Sequence, residues 1–199
     1  MKKIPSLFQR NYDGDRLVRD EVVPGCEWVL AGEGVATVKL DGTSCLVQDG
    51  ILYKRYDAKK GKAAPEGWIP CEEAADPNTG HWPGWLPVGD GPEDRWHREA
   101  WDFMTTLQGV KYNASLPDGT YELIGPRVQG NPHGATRHGL VRHGDMVPET
   151  DAPRTFNGLK EYFASNVIEG LVWHHPDGRM CKLKRRDFGY AWPVKKVTE

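Results

Sequence analysis

The sequence predicts an α+β fold built from antiparallel sheets, and three observations carry that prediction. Short β-branched and apolar runs recur along the chain with Asp-Gly and Pro-Gly turn chemistry between them. Only two segments, 92–108 and 155–166, repeat apolar residues at helical spacing. The 199 residues, 38% hydrophobic and 27% charged, suit one globular domain spanning 1–199 with a substantial core.

Bulk charge narrows the function classes. The 26 basic and 28 acidic side chains leave a formal charge of -2, so no global basic field draws the chain to nucleic acid and any polynucleotide contact must be local. Cys26, Cys45, Cys71 and Cys181 form no C-x-x-C pair, and the start Met1-Lys-Lys-Ile-Pro5 lacks an apolar signal core, so a reduced, cytoplasmic protein is expected. No stretch reaches the ~20 apolar residues that span a bilayer.

Residues 1–24 read as an irregular lead-in with one short strand around Val22. The apolar run Glu27–Leu30 then feeds Gly32-Glu-Gly34, and Val35–Leu40 follows as a buried strand ending at an Asp41-Gly42 turn. Ser44–Gln48 and Ile51–Tyr56 flank Asp49-Gly50, a two-residue hairpin signal, so the Lys39 strand is expected to join this antiparallel unit, with Lys54 and Arg55 presented near its lysine end.

From Asp57 to Gly91 the composition turns to Pro, Gly and Trp, which predicts a long loop with little regular structure. Trp68, Trp82 and Trp85 are too costly to leave in water and are expected to cover one sheet face. A helix from Pro92 to about Gln108 carries Trp96, Ala100, Phe103, Met104 and Leu107 on one stripe, with Gly109 as its stop. Thr120–Ile124 is a strand holding Glu122. The loop Arg127–Gly144 brings Arg127, Arg137, Arg142, His133, His138 and His143; the histidines lack helical spacing and nearby acidic partners, which favours phosphate contact over a metal site. Thr155–Asn166 is a second helix. Val167–Trp173 and Arg179–Lys184 are the last strands, turning at Pro176-Asp-Gly178, and the basic, aromatic tail from Arg185 packs back.

Four of these strands carry charge that propensity would not choose: Lys39, Glu122, Glu169, and Lys182 with Lys184 on one face by the period of two. Burying an ammonium costs several kcal/mol unless its charge is compensated, so a lysine in an apolar strand either reaches out to water or is there for its chemistry. A lysine that loses its proton is an amine nucleophile. With Arg55, these residues are read as one site.

The ordered set Lys39-Leu-Asp41-Gly42, Arg55, Tyr121-Glu122-Leu-Ile-Gly125, Glu169-Gly170-Leu-Val-Trp and Lys182-Leu-Lys184 resembles the covalent nucleotidyltransferase superfamily of ATP-dependent ligases and capping guanylyltransferases. Within it, Pro65-Glu-Gly-Trp68, Thr79–Trp85 and Arg185-Arg-Asp-Phe-Gly189 are similar to the small single-domain RNA ligase 1 family. The resemblance implies a nucleotidyltransferase (adenylation) domain with two antiparallel sheets flanked by helices, an ATP-grasp-like ligase core. It implies an ATP-dependent RNA ligase in which Lys39 attacks the α-phosphorus of ATP, forms lysyl-AMP and passes the adenylate to a 5′-phosphate RNA end for joining to a 3′-hydroxyl.

On that resemblance Thr37 and Val38 sit in the nucleotide pocket, with Thr37 or its backbone reading adenine. Arg55 and Glu122 contact the ribose and phosphate side, and Gly42 permits a tight turn. Lys182 and Lys184 disfavour a third cation at Lys39 and bind the α-phosphate. Mg²⁺, or Mn²⁺ in its place, neutralises the triphosphate with Glu169 and Asp41 as its protein ligands. Tyr121, Trp173 and the His133–His143 loop remain alternatives for stacking on adenine. Fifteen residues follow Lys184, too few for the C-terminal oligonucleotide-binding barrel common in the superfamily. Arg127, Arg137, Arg142, Arg185, Arg186, Lys195 and Lys196 are the candidates to replace its basic motif. A monomer is expected. The competing readings are a DNA-end ligase, a GTP-dependent capping guanylyltransferase, or a non-catalytic sensor of nucleotides or RNA ends.

Overall fold

The computed structural model describes residues 4–59, 62–77, 80–107, 110–111, 116–145 and 148–193. In chain order the elements are β1 (Phe8–Arg10), β2 (Val18–Val22), α1 (Glu27–Leu30), β3 (Val35–Lys39), β4 (Thr43–Gln48), β5 (Ile51–Ala58), β6 (Ile69–Pro70) and β7 (Trp82–Pro87). They continue with α2 (Arg95–Thr105), β8 (Thr106–Leu107), β9 (Val110–Lys111), β10 (Gly119–Ile124), β11 (Gly139–Arg142), α3 (Phe156–Ser165), β12 (Gly170–His174) and β13 (Met180–Lys184). Every pair of named strands is antiparallel, which bears out an α+β architecture. Two large sheets, of six and three strands, are accompanied by two small two-stranded ones.

The chain gathers into two compact units. The first, Asp41–Asp145, holds the six-stranded sheet β11-β10-β4-β5-β7-β6. Its core is Cys45, Val47, Leu52, Ala100, Tyr121, Leu123, Val128 and Leu140, against which Trp96 of α2 packs. The β4–β5 hairpin closes with Gln48 opposite Ile51. Both turn residues take positive φ, Asp49 at 52° and Gly50 at 74°, as a two-residue turn matched to strand twist requires. The Trp-rich stretch is more regular than its composition suggests, because β7 pairs along β5 from Tyr53–Pro87 to Ala58–Trp82. Proline is tolerated there because β7 has only the short β6 on its other side. Trp85 is buried, and the Trp68 ring lies over Gly84, where a Cβ would come within 2.2 Å of it. Trp68 and Trp82 meet edge to face on one side of this end of the sheet, whereas Trp85, three positions from Trp82 along β7, lies on the other, so the expected cover of a single face is split between the two.

Helix α2 follows a 3₁₀ turn at Pro92–Asp94. Its buried residues are His97 and Ala100, whereas Phe103 and Met104 of the predicted stripe are exposed. The predicted stop at Gly109 lies outside the described residues. Lys54 and Arg55 do not act together: Lys54 shares a row with Cys45 and Tyr121 on the core face, where its Nζ meets Asp94 Oδ1 at 2.5 Å. Alternation sends Arg55 to the opposite face.

The second unit is built from the described residues up to Leu40 and from 148 onward, around the sheet β13-β12-β3. The lead-in forms a hairpin, β1 with β2, rather than a single strand, because Leu7 and Phe8 are fully buried in the core with Trp28, Val29, Leu159, Phe163, Leu171, Trp173, Leu183 and Phe188. Thr155 caps α3 by accepting the Gly158 N–H at 3.2 Å, close to the predicted start. Strand β3 does not join the β4–β5 hairpin. It pairs with β12, so the Leu40-Asp41-Gly42 connection carries the chain from one sheet to another instead of reversing it.

Cys26 and Cys181, both buried and 155 residues apart, are joined as a disulfide, against the expectation of a fully reduced chain. Spacing does not reveal such a pair because the fold of α1 against β13 creates it. Among the described residues no helix is long and apolar enough to cross a membrane.

Candidate functional site

The three-stranded sheet positions the lysines. Gly170 of β12 stands opposite Lys39 of β3 on one side and Lys184 of β13 on the other; Val172 likewise stands between Thr37 and Lys182. Residues opposite one another in antiparallel strands share a face, so Thr37, Lys39, Lys182 and Lys184 lie on one side of this sheet. Val38, one position away, has its side chain on the other side.

Gly170 has no side chain to separate the lysines, and none fits: a Cβ would lie 2.4 Å from the Leu183 carbonyl oxygen. The space is bridged by Glu169. Its carboxylate is 1% exposed; Oε2 accepts a hydrogen bond from Lys39 Nζ at 2.7 Å, and Oε1 is ion-paired with Lys184 Nζ at 2.8 Å without hydrogen-bond geometry, while Lys39 Nζ also donates to the Leu40 carbonyl at 3.1 Å. A carboxylate this deep needs compensation. Two ammoniums supply it and leave the triad with one net positive charge beside the exposed part of Lys39. The expected arrangement, in which Lys182 and Lys184 act directly on Lys39 by repulsion, is replaced by one in which a carboxylate separates Lys184 from Lys39. Thr37 Oγ1 meets His174 Nε2 at 3.0 Å.

In the other unit, Glu122 and Arg55 share the face of the six-stranded sheet opposite the Cys45–Tyr121 core face. Glu122 is held at both oxygens: the Gly42 N–H donates to Oε1 at 3.0 Å, and His143 Nε2 lies 3.0 Å from Oε2. His143 Nδ1 is in turn 3.0 Å from Thr120 Oγ1. The Asp41 N–H donates to His133 Nε2 at 2.8 Å, which requires that nitrogen to be unprotonated. Gly42 is needed here for closeness rather than for a positive φ, since a Cβ would sit 2.2 Å from the Leu123 carbonyl oxygen. Arg55 donates to Asp57 Oδ1 at 2.9 Å and lies over the Trp85 ring at 5.4 Å.

The family model described as RNA ligase 1 matches residues 54–198. The chain belongs to the RNA ligase 1 family. RNA ligase 1 of Mus musculus is 30% identical over 223 residues, covering 80% of this chain and 68% of the relative; RNA ligase 1 of Danio rerio is 28% identical with the same coverage. The match to the RNA ligase 1 model includes Arg55, Glu122, Glu169, Lys182 and Lys184 and begins beyond Lys39.

Against this family background several expectations are corrected. His138 and His143 do have acidic partners: His138 Nδ1 lies 2.9 Å from Glu99 Oε1, and His143 faces Glu122. Tyr121 and Trp173 are 2% and 0% exposed, so neither is free to stack on a base. Arg185 is buried, donating to the carbonyls of Phe163, Asn166 and Ala191, and so belongs to the scaffold rather than to a phosphate site. Lys195 and Lys196 lie outside the described residues. With an ammonium on each oxygen, the Glu169 carboxylate does not fit a ligand for Mg²⁺ in this arrangement. Among the described residues no group of three or more His, Cys, Asp or Glu side chains is placed to hold a metal.

The histidines that brace Asp41 and Glu122 were missed in the sequence. Their only signal was three histidines in one polar loop, which does not tell which strand each will face.

Proposed function

We propose that this chain is an ATP-dependent RNA ligase that works through a lysyl-AMP on Lys39, as a monomer. The observation that supports it most is the Lys39–Glu169–Lys184 triad, a nucleophilic amine within 2.7 Å of a buried carboxylate whose other oxygen holds a second cation. Membership of the RNA ligase 1 family supplies the reaction class.

In the proposed first step Lys39 gives up a proton to Glu169 Oε2, its lone pair forms an N–P bond at the α-phosphorus, and pyrophosphate leaves with the electrons of the broken P–O bond. Lys184 and Lys182 then face the charge that develops on the α-phosphate. A 5′-phosphate oxygen of the RNA next takes the adenylate, breaking the N–P bond and returning the amine. Attack by a 3′-hydroxyl releases AMP and closes the phosphodiester. Glu122 is proposed as acceptor for two ribose hydroxyls and Arg55 as a phosphate contact, with Thr37 beside the base. Mg²⁺ or Mn²⁺ enters the proposal only as the cation that accompanies the nucleotide phosphates.

The test is to incubate the protein with α-labelled ATP or GTP and a divalent cation, denature it, and look for covalent label. Label from ATP, lost in Lys39→Ala and reduced about 100-fold or more in Lys184→Ala, is the expected result. Label from GTP alone would instead assign a guanylyltransferase, and no label a sensor. Transfer to 5′-phosphorylated RNA and DNA strands, compared side by side, separates the two ligase readings.

A further inference from the structure

A cavity of about 400 Å³ opens beside the end of the β5–β7 ladder, lined among others by Ala58, Lys59, Lys62, Asp76, Pro77 and Trp82. Its volume falls within the range of small-ligand sites. Ala58 is paired with Trp82, three residues along β5 from the Arg55–Trp85 pair, a distance of about 10 Å at ~3.3 Å per residue. An offset of three reverses the face, so Trp82 and the lysines around it lie on the side of the sheet opposite the Arg55–Trp85 pair and form a station of their own.

The lining is of two chemical kinds. Trp82, Pro77 and the alanines offer flat apolar surface. The Trp82 indole is already fixed, because its N–H donates to the Glu72 carbonyl at 2.7 Å and its ring meets that of Trp68 edge to face at 5.1 Å, so little freedom is lost when a planar group packs on it. Lys59 and Lys62 are exposed and, among the described residues, make no ion pair. Asp76 stands at a turn tied by its own N–H to the His81 carbonyl and by the Gly80 N–H to its carbonyl.

An aromatic platform beside two cations, on a chain whose formal charge is -2, fits one nucleotide of a single strand: stacking for the base, charge for the flanking phosphates. We propose that this cavity is an RNA subsite that grips a nucleotide of the single-stranded substrate, in a mode tolerant of sequence. The proposal rests on the RNA ligase reading for the identity of the strand.

The experiment measures fluorescence anisotropy of a labelled, 5′-phosphorylated single-stranded RNA with the full chain, without ATP, over a salt series. In Lys59→Ala/Lys62→Ala the affinity should fall roughly tenfold, and the slope of log affinity against log salt should shrink by about 1.4, the amount two single-strand phosphate contacts contribute. Lys59→Arg/Lys62→Arg should restore both. Unchanged affinity and slope in the alanine variant would overturn the subsite, as would a loss confined to free AMP with RNA binding intact. Because no ATP is present, wild-type protein that binds the strand but takes no label from α-labelled ATP contradicts the lysyl-AMP reading and leaves the subsite standing. Label without strand binding does the reverse.

Discussion

Glu169 is the residue on which the proposed chemistry turns, because one carboxylate serves two lysines at once. If it only neutralises them, replacing it by an uncharged isostere costs stability; if it also takes the proton from Lys39, the replacement costs rate in a manner that alkali repairs. Glu169→Gln should lose stability at the low end of the roughly 3–5 kcal/mol of a broken buried pair, since the two lysine side chains keep 21% and 26% exposure and can reach water. Its labelling by ATP should be weak near neutral pH and recover in part as hydroxide replaces the missing acceptor. A rate equally low at every pH would leave Glu169 a structural role only. His138 makes the opposite case: it is 3% exposed, stacks on Trp96 at 4.6 Å, accepts the Arg127 N–H and faces Glu99, all of it scaffold. His138→Ala should therefore lower the melting temperature by several degrees, as a large-to-small core change does, rather than be silent. Lys39, Glu169 and Lys184 were legible in the sequence because a charge in an apolar strand is conspicuous. His143 was not, since its carboxylate partner is fixed by the β10–β11 pairing and lies 21 residues away.

Elements were legible where local chemistry decides them. Asp49-Gly50 gave the β4–β5 turn, and Thr155 with its apolar stripe gave α3. Where pairing decides, local reading erred: Asp41-Gly42 resembles a hairpin turn, but the Gly42 N–H is claimed by Glu122 and a Cβ there would strike the Leu123 carbonyl oxygen at 2.2 Å, while β3 pairs with β12. Strands β7 and β11 hide in stretches rich in proline, tryptophan and glycine because their partners, not their own propensities, make them strands. The middle strand β12 shows what pairing demands. Gly170→Ala would place a methyl group 2.4 Å from the Leu183 carbonyl oxygen and 3.0 Å from the Lys184 Cα, both backbone atoms that cannot swing aside. The expected cost is about 1–3 kcal/mol, with label from ATP reduced because the Lys39–Gly170–Lys184 row must spread. A variant with wild-type melting temperature and labelling would show that the row tolerates what its geometry forbids.

At the scale of the whole molecule the sequence forecast the class of fold and the presence of a core, yet the described residues carry two cores, and which residues enter each is set by pairings that no local pattern encodes. One consequence is a titratable group stranded in an interior. His97 of α2 is 9% exposed, and among the described residues neither ring nitrogen has a hydrogen-bond partner. Burial pushes its pKa below the ordinary imidazole value; Asp94 opposes that shift, while Lys54 and Arg98 add to it. In the unfolded chain the same imidazole takes its proton near pH 6.5, so below that point the unfolded state binds more protons than the folded one. Stability from this residue is thus complete above about pH 6.5 and is lost as pH falls through that value toward the depressed folded pKa. His97→Leu cannot titrate, so its melting temperature should drop less between pH 7.5 and pH 5.5 than that of the wild type. The other histidines are common to both proteins and cancel in the comparison. Equal drops in the two proteins would mean that His97 reaches solvent when it takes up its proton, and that this core opens more readily than its packing indicates.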